Sequence, residues 1–409
     1  MVESNLVPNL KALKWKTRSG LYPARTTLIQ PLLVPGLLVL DFCGSQRDVT
    51  LGSFLQACPL RCPDLKSARF RVLMEEQSRL IDILSQALCS FKNLKSLAVD
   101  GLVYGLVNDG ALEHFLMSPQ LQELSLSIRS HQLLEFSPPS SDIPLCNIKN
   151  LHLRLDDLSR ITEFLRPGNQ SFDAIELDFE RMELATLIAS LFTGLASPPR
   201  KSTLREFTLL NTPSLFREGG NPRLQDSNLK LFVLSFDTFQ PLTCHTNLRK
   251  LIINLENPIS LNDDELADLV HNWPLLEIFD VSYIRPLPRQ TKQITFKSLL
   301  SLVASCPELR QVVLTLDGRQ IPSRVAVRPN AITVLRFPNS PINNQARLVA
   351  KFLLAHFPSL RLSDTCLEAG PIEILLGVDR HAQEWLKVHQ YLFDARKLQI
   401  GRASCRERV

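Results

Sequence analysis

The sequence predicts an α/β solenoid, with parallel strands on a concave face and helices on the convex face. Two observations predict it. First, a block Pro/Asn-x-Leu-x-x-Leu-x-Leu returns about every 27 residues. It reads Pro8-Asn9-Leu10-Lys11-Ala12-Leu13-Lys14-Trp15, then Lys92-Asn93-Leu94-Lys95-Ser96-Leu97-Ala98-Val99, Pro119-Gln120-Leu121-Gln122-Glu123-Leu124-Ser125-Leu126 and Pro307-Glu308-Leu309-Arg310-Gln311-Val312-Val313-Leu314. Second, most blocks are followed by a stretch with helical apolar spacing. A period of this length, holding one strand and one helix, is that of a leucine-rich repeat, in which neighbouring units bury each other's apolar faces.

Taking the first apolar position of each block as marker gives Leu10, Leu37, Leu65, Leu94, Leu121, Ile148, Ala174, Leu204, Leu229, Leu248, Leu276, Leu309, Ile332 and Leu360. Most intervals fall between 25 and 30 residues, with a short one of 19 before Leu248 and a long one of 33 before Leu309. Ala174 and Leu229 are the weakest markers. Within each unit the x-Leu-x-Leu alternation has the period of a strand, so its leucines point inward and the alternate residues outward. The helix is plainest at Asn262-Asp263-Asp264-Glu265-Leu266-Ala267-Asp268-Leu269-Val270. There Asn262 is placed to cap, Glu265 to close a capping box, and Leu266, Leu269 and Val270 to form the buried stripe. Similar stripes run through Leu299–Ala304 and Leu348–Leu354. A helix this full in each unit is the bulkier, ribonuclease-inhibitor-like repeat, which puts the sheet inside the curve. Cys306-Pro307 and Trp273-Pro274 end helices, since the residue before proline disfavours the helical region. Inserts rich in Pro, Ser and Gly interrupt the rhythm at Ser130–Asn147, Asn211–Asn228 and Arg285–Ile294.

With 409 residues, 44% apolar and 21% charged, the chain is too apolar for disorder. Its length alone suggests two or three globular domains, but the unbroken repeat favours one solenoid over residues 1–399, of about 13–14 units. The last ten residues, Ile400–Val409, resemble the translation of a common high-throughput sequencing adapter, and are set apart from the repeats. Without them the net charge drops from +5 to +3, which weakens any nucleic-acid reading. Both ends of the solenoid are expected to be truncated. Before the adapter-like tail, Trp385, Val388, Leu392 and Ala395 keep helical spacing and suit a capping helix. No apolar run is long enough to span a bilayer, and nine scattered cysteines without a secretory leader favour an intracellular protein, cytoplasmic or nuclear. Cys58-x-x-x-Cys62 lacks a second pair or a nearby His to make a metal site. No metal or cofactor is expected.

The blocks Val7-Pro8-Asn9-Leu10-Lys11-Ala12-Leu13-Lys14-Trp15 and Cys306-Pro307-Glu308-Leu309-Arg310-Gln311-Val312 resemble those of fungal F-box-like proteins with C-terminal leucine-rich repeats. The resemblance implies a substrate-recognition subunit of a cullin-type ubiquitin ligase. In that family a short helical F-box docks the ligase adaptor. These residues hold no such segment, so adaptor binding is expected only if a longer chain carries one.

The outward strand positions are the candidate protein-binding residues. They are Lys14, Lys16, Arg69 and Arg71 in the first units, His152 and Arg154 in the sixth, and Glu176, Asp178, Glu180 and Glu206 in the next two. The concave face is thus expected to run from basic to acidic. Residues two apart on a strand sit roughly 6.6 Å apart on one face. Glu176, Asp178 and Glu180 are therefore expected as a ladder of like charges suited to a basic peptide. Catalysis is not expected. Cys244 and His245 are adjacent and point apart, Gly219-Gly220 is a lone turn, and no second chemical group joins the carboxylates. The partner is expected to be a protein on the concave face or on the insert loops, with neither nucleic acid nor membrane. The alternative to a ligase receptor is a free-standing repeat protein that modulates an enzyme or GTPase.

Overall fold

The computed structural model describes residues 7, 9–16, 26–45, 48–73, 79–101, 103–135, 147–165, 172–196, 203–211, 229–283, 292–322, 330–360 and 381–406. The inserts lie mostly outside them. Backbone contacts divide the chain into two compact units, Met1–Arg181 with Ser197–Lys201, and Met182–Ala196 with Ser202–Val409.

In the first unit, strand and helix alternate: β1 (Ala12–Lys16), β2 (Val39–Ser45), α1 (Leu51–Arg61), β3 (Ser67–Leu73), α2 (Arg79–Cys89), β4 (Ser96–Asp100), α3 (Asp109–Leu116), β5 (Glu123–Ile128), α4 (Gln132–Glu135), β6 (Asn150–Leu155), α5 (Ile161–Leu165) and β7 (Ala174–Phe179). The seven strands are parallel and pair in chain order. Parallel neighbours need a crossover of a dozen residues or more, and the helix-bearing arm of each repeat supplies it.

The second unit holds α6 (Ala185–Ala196), β8 (Glu206–Asn211), β9 (Leu234–Ser235), α7 (Phe236–Phe239), β10 (Lys250–Leu255), β11 (Ile259–Ser260), α8 (Asp263–Val270), β12 (Ile278–Tyr283), α9 (Phe296–Ser305), β13 (Gln311–Leu314), β14 (Val334–Arg336), α10 (Ala346–His356) and α11 (Ala382–Arg406). Strands β8, β10, β12, β13 and β14 form its parallel sheet in that order. Both units are built from the leucine-rich repeat that the sequence predicts.

The pairing register tests the repeat markers. Ala12, Val39, Ser67, Ser96, Glu123, Asn150 and Ala174 stand opposite one another. Leu10, Leu37, Leu65, Leu94, Leu121 and Ile148 each lie two residues earlier, so the seventh marker is Phe172, not Ala174. Phe172 is buried like its equivalents, and only a large apolar side chain fills that place. In the second unit Leu204, Leu248, Leu276, Leu309 and Ile332 hold the same offset from Glu206, Lys250, Ile278, Gln311 and Val334. Leu229 opens no strand of this sheet. It precedes a 3-10 turn and the two-residue β9, which pairs only with β11. Extension stops there because Ser235 and Thr238 form a capping box that starts α7. The intervals of 25 and 19 residues are therefore one long repeat. Leu360 is buried, and residues 361–380 lie outside those described.

Inward strand residues meet the helices. Phe42 of β2 stacks on Phe54 of α1 at 4.6 Å, and Phe192 of α6 meets Phe207 of β8 edge-on at 5.7 Å. Full burial of each such side chain contributes about 2–3 kcal/mol. In α8 the Asn262 side chain accepts from the Glu265 amide at 2.8 Å, while the Glu265 carboxylate accepts from the Asn262 amide at 3.0 Å. This is the capping box that the sequence predicts, with Leu266, Leu269 and Val270 buried behind it. Trp385, Val388 and Leu392 of α11 are buried as well. Trp385 stacks on Phe337 at 5.0 Å and donates its indole N–H to the Ser340 carbonyl at 2.7 Å. The helix thus covers the last described repeat.

Short polar side chains tie one repeat to the next. Near the helix N-termini, the Asp48 carboxylate accepts from the Thr26 amide, Asp156 from the Ser130 amide, and Asp109 from the Gln132 side chain. Asp263 alone takes four hydrogen bonds from Thr295 and Ser298 of the next repeat. At the opposite helix ends, Asn147 donates to the Pro119 carbonyl, Trp273 to Leu242, and the Cys306 thiol to Trp273.

Candidate functional site

On every strand of the first unit the residues between the buried ones face away from the helices. Register aligns them into rows. One runs Lys14, Asp41, Arg69, Ala98, Ser125, His152, Glu176. The next holds Lys16, Cys43, Arg71 and Asp100, and further along Ser127, Arg154 and Asp178. All eight candidates of β1, β3, β6 and β7 lie on this face, and Glu180 follows directly after β7. Basic residues dominate β1 to β3, with Asp41 among them. The middle is neutral at Ser96, Ala98, Ser125 and Ser127. Carboxylates close the row on β7.

The three carboxylates on and after β7 do not form a bare ladder. His152 accepts or donates at Ser125 Oγ through Nδ1 at 3.0 Å, and its Nε2 lies 3.6 Å from Glu176. Arg154 lies 3.8 Å from Asp178, donates to the Gly101 carbonyl at 3.1 Å, and sits 5.4 Å above the Tyr104 ring. Register forces these pairs, since His152 stands opposite Glu176 and Arg154 opposite Asp178. Partial neutralisation lowers the repulsion expected of three adjacent acids. At the other end Lys14 pairs with Asp41 at 3.4 Å and Arg71 with Asp100 at 3.3 Å. Exposed pairs such as these contribute little stability, about 0–1 kcal/mol, and leave their charge available to a partner.

Tyr104 was not among the sequence candidates. Burial pushes its phenol well above the ordinary value, and the nearby Glu180 carboxylate adds to that. Its hydroxyl makes no hydrogen bond of ordinary geometry with a described residue, so Glu180 acts on it through proximity. The sequence signal was slight: an aromatic next to Gly105, whose φ of 75° marks a turn.

The corresponding face of the second unit differs. Glu206 opens β8 and lies 3.6 Å from Lys250. Beyond that pair one row runs Thr208, Ile252, Asp280, Val313 and Arg336, with apolar residues beside the charged ones. Burial pushes the Asp280 carboxyl up to about 6, against the opposing effects of the Ser282 hydroxyl and Arg336. A lone carboxylate inside Ile278-Phe279-Asp280-Val281 was the available signal, and the charge-based reading passed over it.

Other sequence features separate in space. Cys244 is exposed and His245 is buried. Cys58 and Cys62 are both buried, and burial raises the Cys62 thiol to about 11. Among the described residues, no group of three His, Cys, Asp or Glu is placed to hold a metal ion. No described helix is long and apolar enough to cross a membrane.

The chain matches no protein-family model and no curated protein. Among solved structures it is similar to a chain of the yeast Rad7 and Elc1 complex, at 16% identity and a TM-score of 0.35, over 71% of this chain and 81% of that one. A likeness so distant carries no inference about function.

Proposed function

We propose that this chain is a protein-interaction scaffold and, more finely, the substrate-recognition part of an F-box-like ubiquitin-ligase receptor. One observation carries the scaffold reading. The face of β1 to β7 that turns away from the helices presents a sheet of side chains with basic residues concentrated on β1 to β3, carboxylates on β7 and mostly small residues such as Ala98, Ser125 and Ser127 between them. Such a field orients an extended partner segment and speeds its approach. It offers recognition and no reaction centre. The ligase role rests on the resemblance of the repeat blocks alone.

A photo-crosslinking residue at Ser125, in the middle of the face, tests the scaffold, with Gln86 on the exposed side of α2 as control. The expected result is a protein adduct from Ser125 and none from Gln86, lost when Glu176, Asp178 and Glu180 are together changed to Lys while the circular dichroism spectrum is kept. Adducts that survive the triple change refute the charged-face reading. The ligase part is tested on the captured protein: its ubiquitination should fall when this chain is deleted from cells. Unchanged ubiquitination removes that part and leaves the scaffold.

A further inference from the structure

The second unit holds a cavity of about 150 Å³ at the C-terminal ends of β12, β13 and β14. Tyr283 ends β12, Thr315 and Asp317 follow β13, and Asn339 follows β14; Lys292 and His381 also line it. Tyr283 is 6% exposed, Thr315 5% and Asp317 8%. Polar side chains buried this far are normally matched with partners.

Two of the groups are committed. The Asp317 carboxylate receives the Arg319 backbone amide at 3.1 Å and its guanidinium twice at 2.7 Å. The Asn339 amide donates to the Tyr283 carbonyl at 3.1 Å. The Tyr283 hydroxyl is different. Burial alone raises its phenol, and no hydrogen bond from a described residue opposes that effect. Thr315 Oγ1 accepts from the Tyr283 amide at 3.5 Å, which leaves its own proton to donate. The cavity therefore offers two uncommitted O–H donors, while its carboxylate is already satisfied. What these two donors lack is an acceptor among the described residues. Its size is well under the roughly 300–1,000 Å³ of small-molecule pockets and about that of a cavity that takes one ring-sized group.

We propose that this cavity is an anchor pocket for one acceptor-bearing side chain, the carboxylate of glutamate or the carboxamide of glutamine, presented by a partner polypeptide. The proposal rests on the scaffold reading and adds the chemistry that the second unit selects. Anchors of this kind, inserted into a desolvated pocket, dominate many protein interfaces.

The chain has four tyrosines, so 3-fluorotyrosine labelling of the whole protein yields few fluorine signals, with Tyr283→Phe identifying the relevant one. The probes are five-residue alanine peptides, blocked at both ends, with Glu, Gln, Leu or Lys at the centre. The Glu or Gln peptide should move the Tyr283 signal saturably. Tyr283→Phe should weaken that peptide about tenfold, read from the peptide's own spectrum. Preference for Glu assigns a carboxylate, and preference for Gln assigns a carboxamide. Equal shifts from Leu or Lys, or no shift at about 10 mM of any peptide, overturn the proposal. If Tyr283→Phe does not fold, Tyr22→Phe, Tyr104→Phe and Tyr391→Phe assign the signal by elimination and the titration stands on the unaltered chain. Cross-linking at Ser125 does not involve these residues, so a failed titration leaves the scaffold reading intact.

Discussion

Asp280 gives the sharpest quantitative expectation. It lies in a row between Ile252 and Val313, and its carboxyl is raised from 3.8 to about 6, first by burial, with the Ser282 hydroxyl at 2.8 Å and Arg336 working against the shift. Below pH ~4 the group is protonated whether the chain is folded or not, and it costs nothing. Between pH ~4 and ~6 the folded chain holds a proton that the unfolded chain has released, so stability falls as pH rises through that window. Above pH ~6 the penalty is complete. A shift of about two units corresponds to ~3 kcal/mol. Asp280→Asn keeps the shape and an acceptor for Ser282 but cannot ionise. The variant and the parent should unfold at nearly the same urea concentration at pH 4. At pH 8 the variant should be more stable by about 2–3 kcal/mol. Tryptophan fluorescence reports the transition, since Trp273 and Trp385 are both buried in the same unit. Parallel stability curves for the two proteins from pH 4 to 8 would refute the assignment of a carboxyl raised by burial.

Two further outcomes follow from contacts between repeats. Asp263→Ala removes the acceptor of four hydrogen bonds at 2.5–3.2 Å, two of them from backbone amides at the start of α9, so urea denaturation should register a loss of about 2–4 kcal/mol. Asp263→Asn, which keeps an acceptor, should recover part of it. Gly101→Ala places a Cβ 2.6 Å from the Val72 carbonyl oxygen and 2.8 Å from Leu106, and the backbone that must shift also receives Arg154. A loss of about 1–3 kcal/mol is expected in thermal unfolding, together with weaker cross-linking from Ser125.

The contrast between what was legible in the sequence and what was not has a physical origin. Strand faces and caps are decided within a few residues. Asn262 and Glu265 are three apart, and the alternation around Leu97 and Val99 needs no distant information. The face of the strand candidates, Glu180 apart, was legible for this reason. The markers failed where local chemistry was ambiguous. Ala174 is apolar but two places too late, after Phe172-Asp173. Leu229 starts an apolar run that Ser235 diverts into a helix. Partners were illegible for a different reason. His152 meets Glu176 only because a neighbouring strand arrives in one register, and the surroundings of Asp280 depend on Ile252 and Val313 of the neighbouring repeats.

This separation also bears on how the solenoid coheres. Apolar burial stacks the repeats but is non-directional, so by itself it sets no register between neighbours. Directional contacts come from the backbone ladders of the parallel strands and from short acids near the helix N-termini. Asp48, Asp109, Asp156 and Asp263 each accept from an adjacent repeat, where unpaired amides and the positive end of the helix dipole favour a carboxylate. A polar residue in that position does two things at once. At Asp48, Asp156 and Asp263 it closes a backbone amide, and at all four it joins one repeat to the next. The exposed strand face is then held in register by its own ladder and also by atoms on another edge of the repeat. Substitutions on that face can change its charge while the clamps stay in place, so the partner preference of such a surface can be altered without dismantling the fold beneath it.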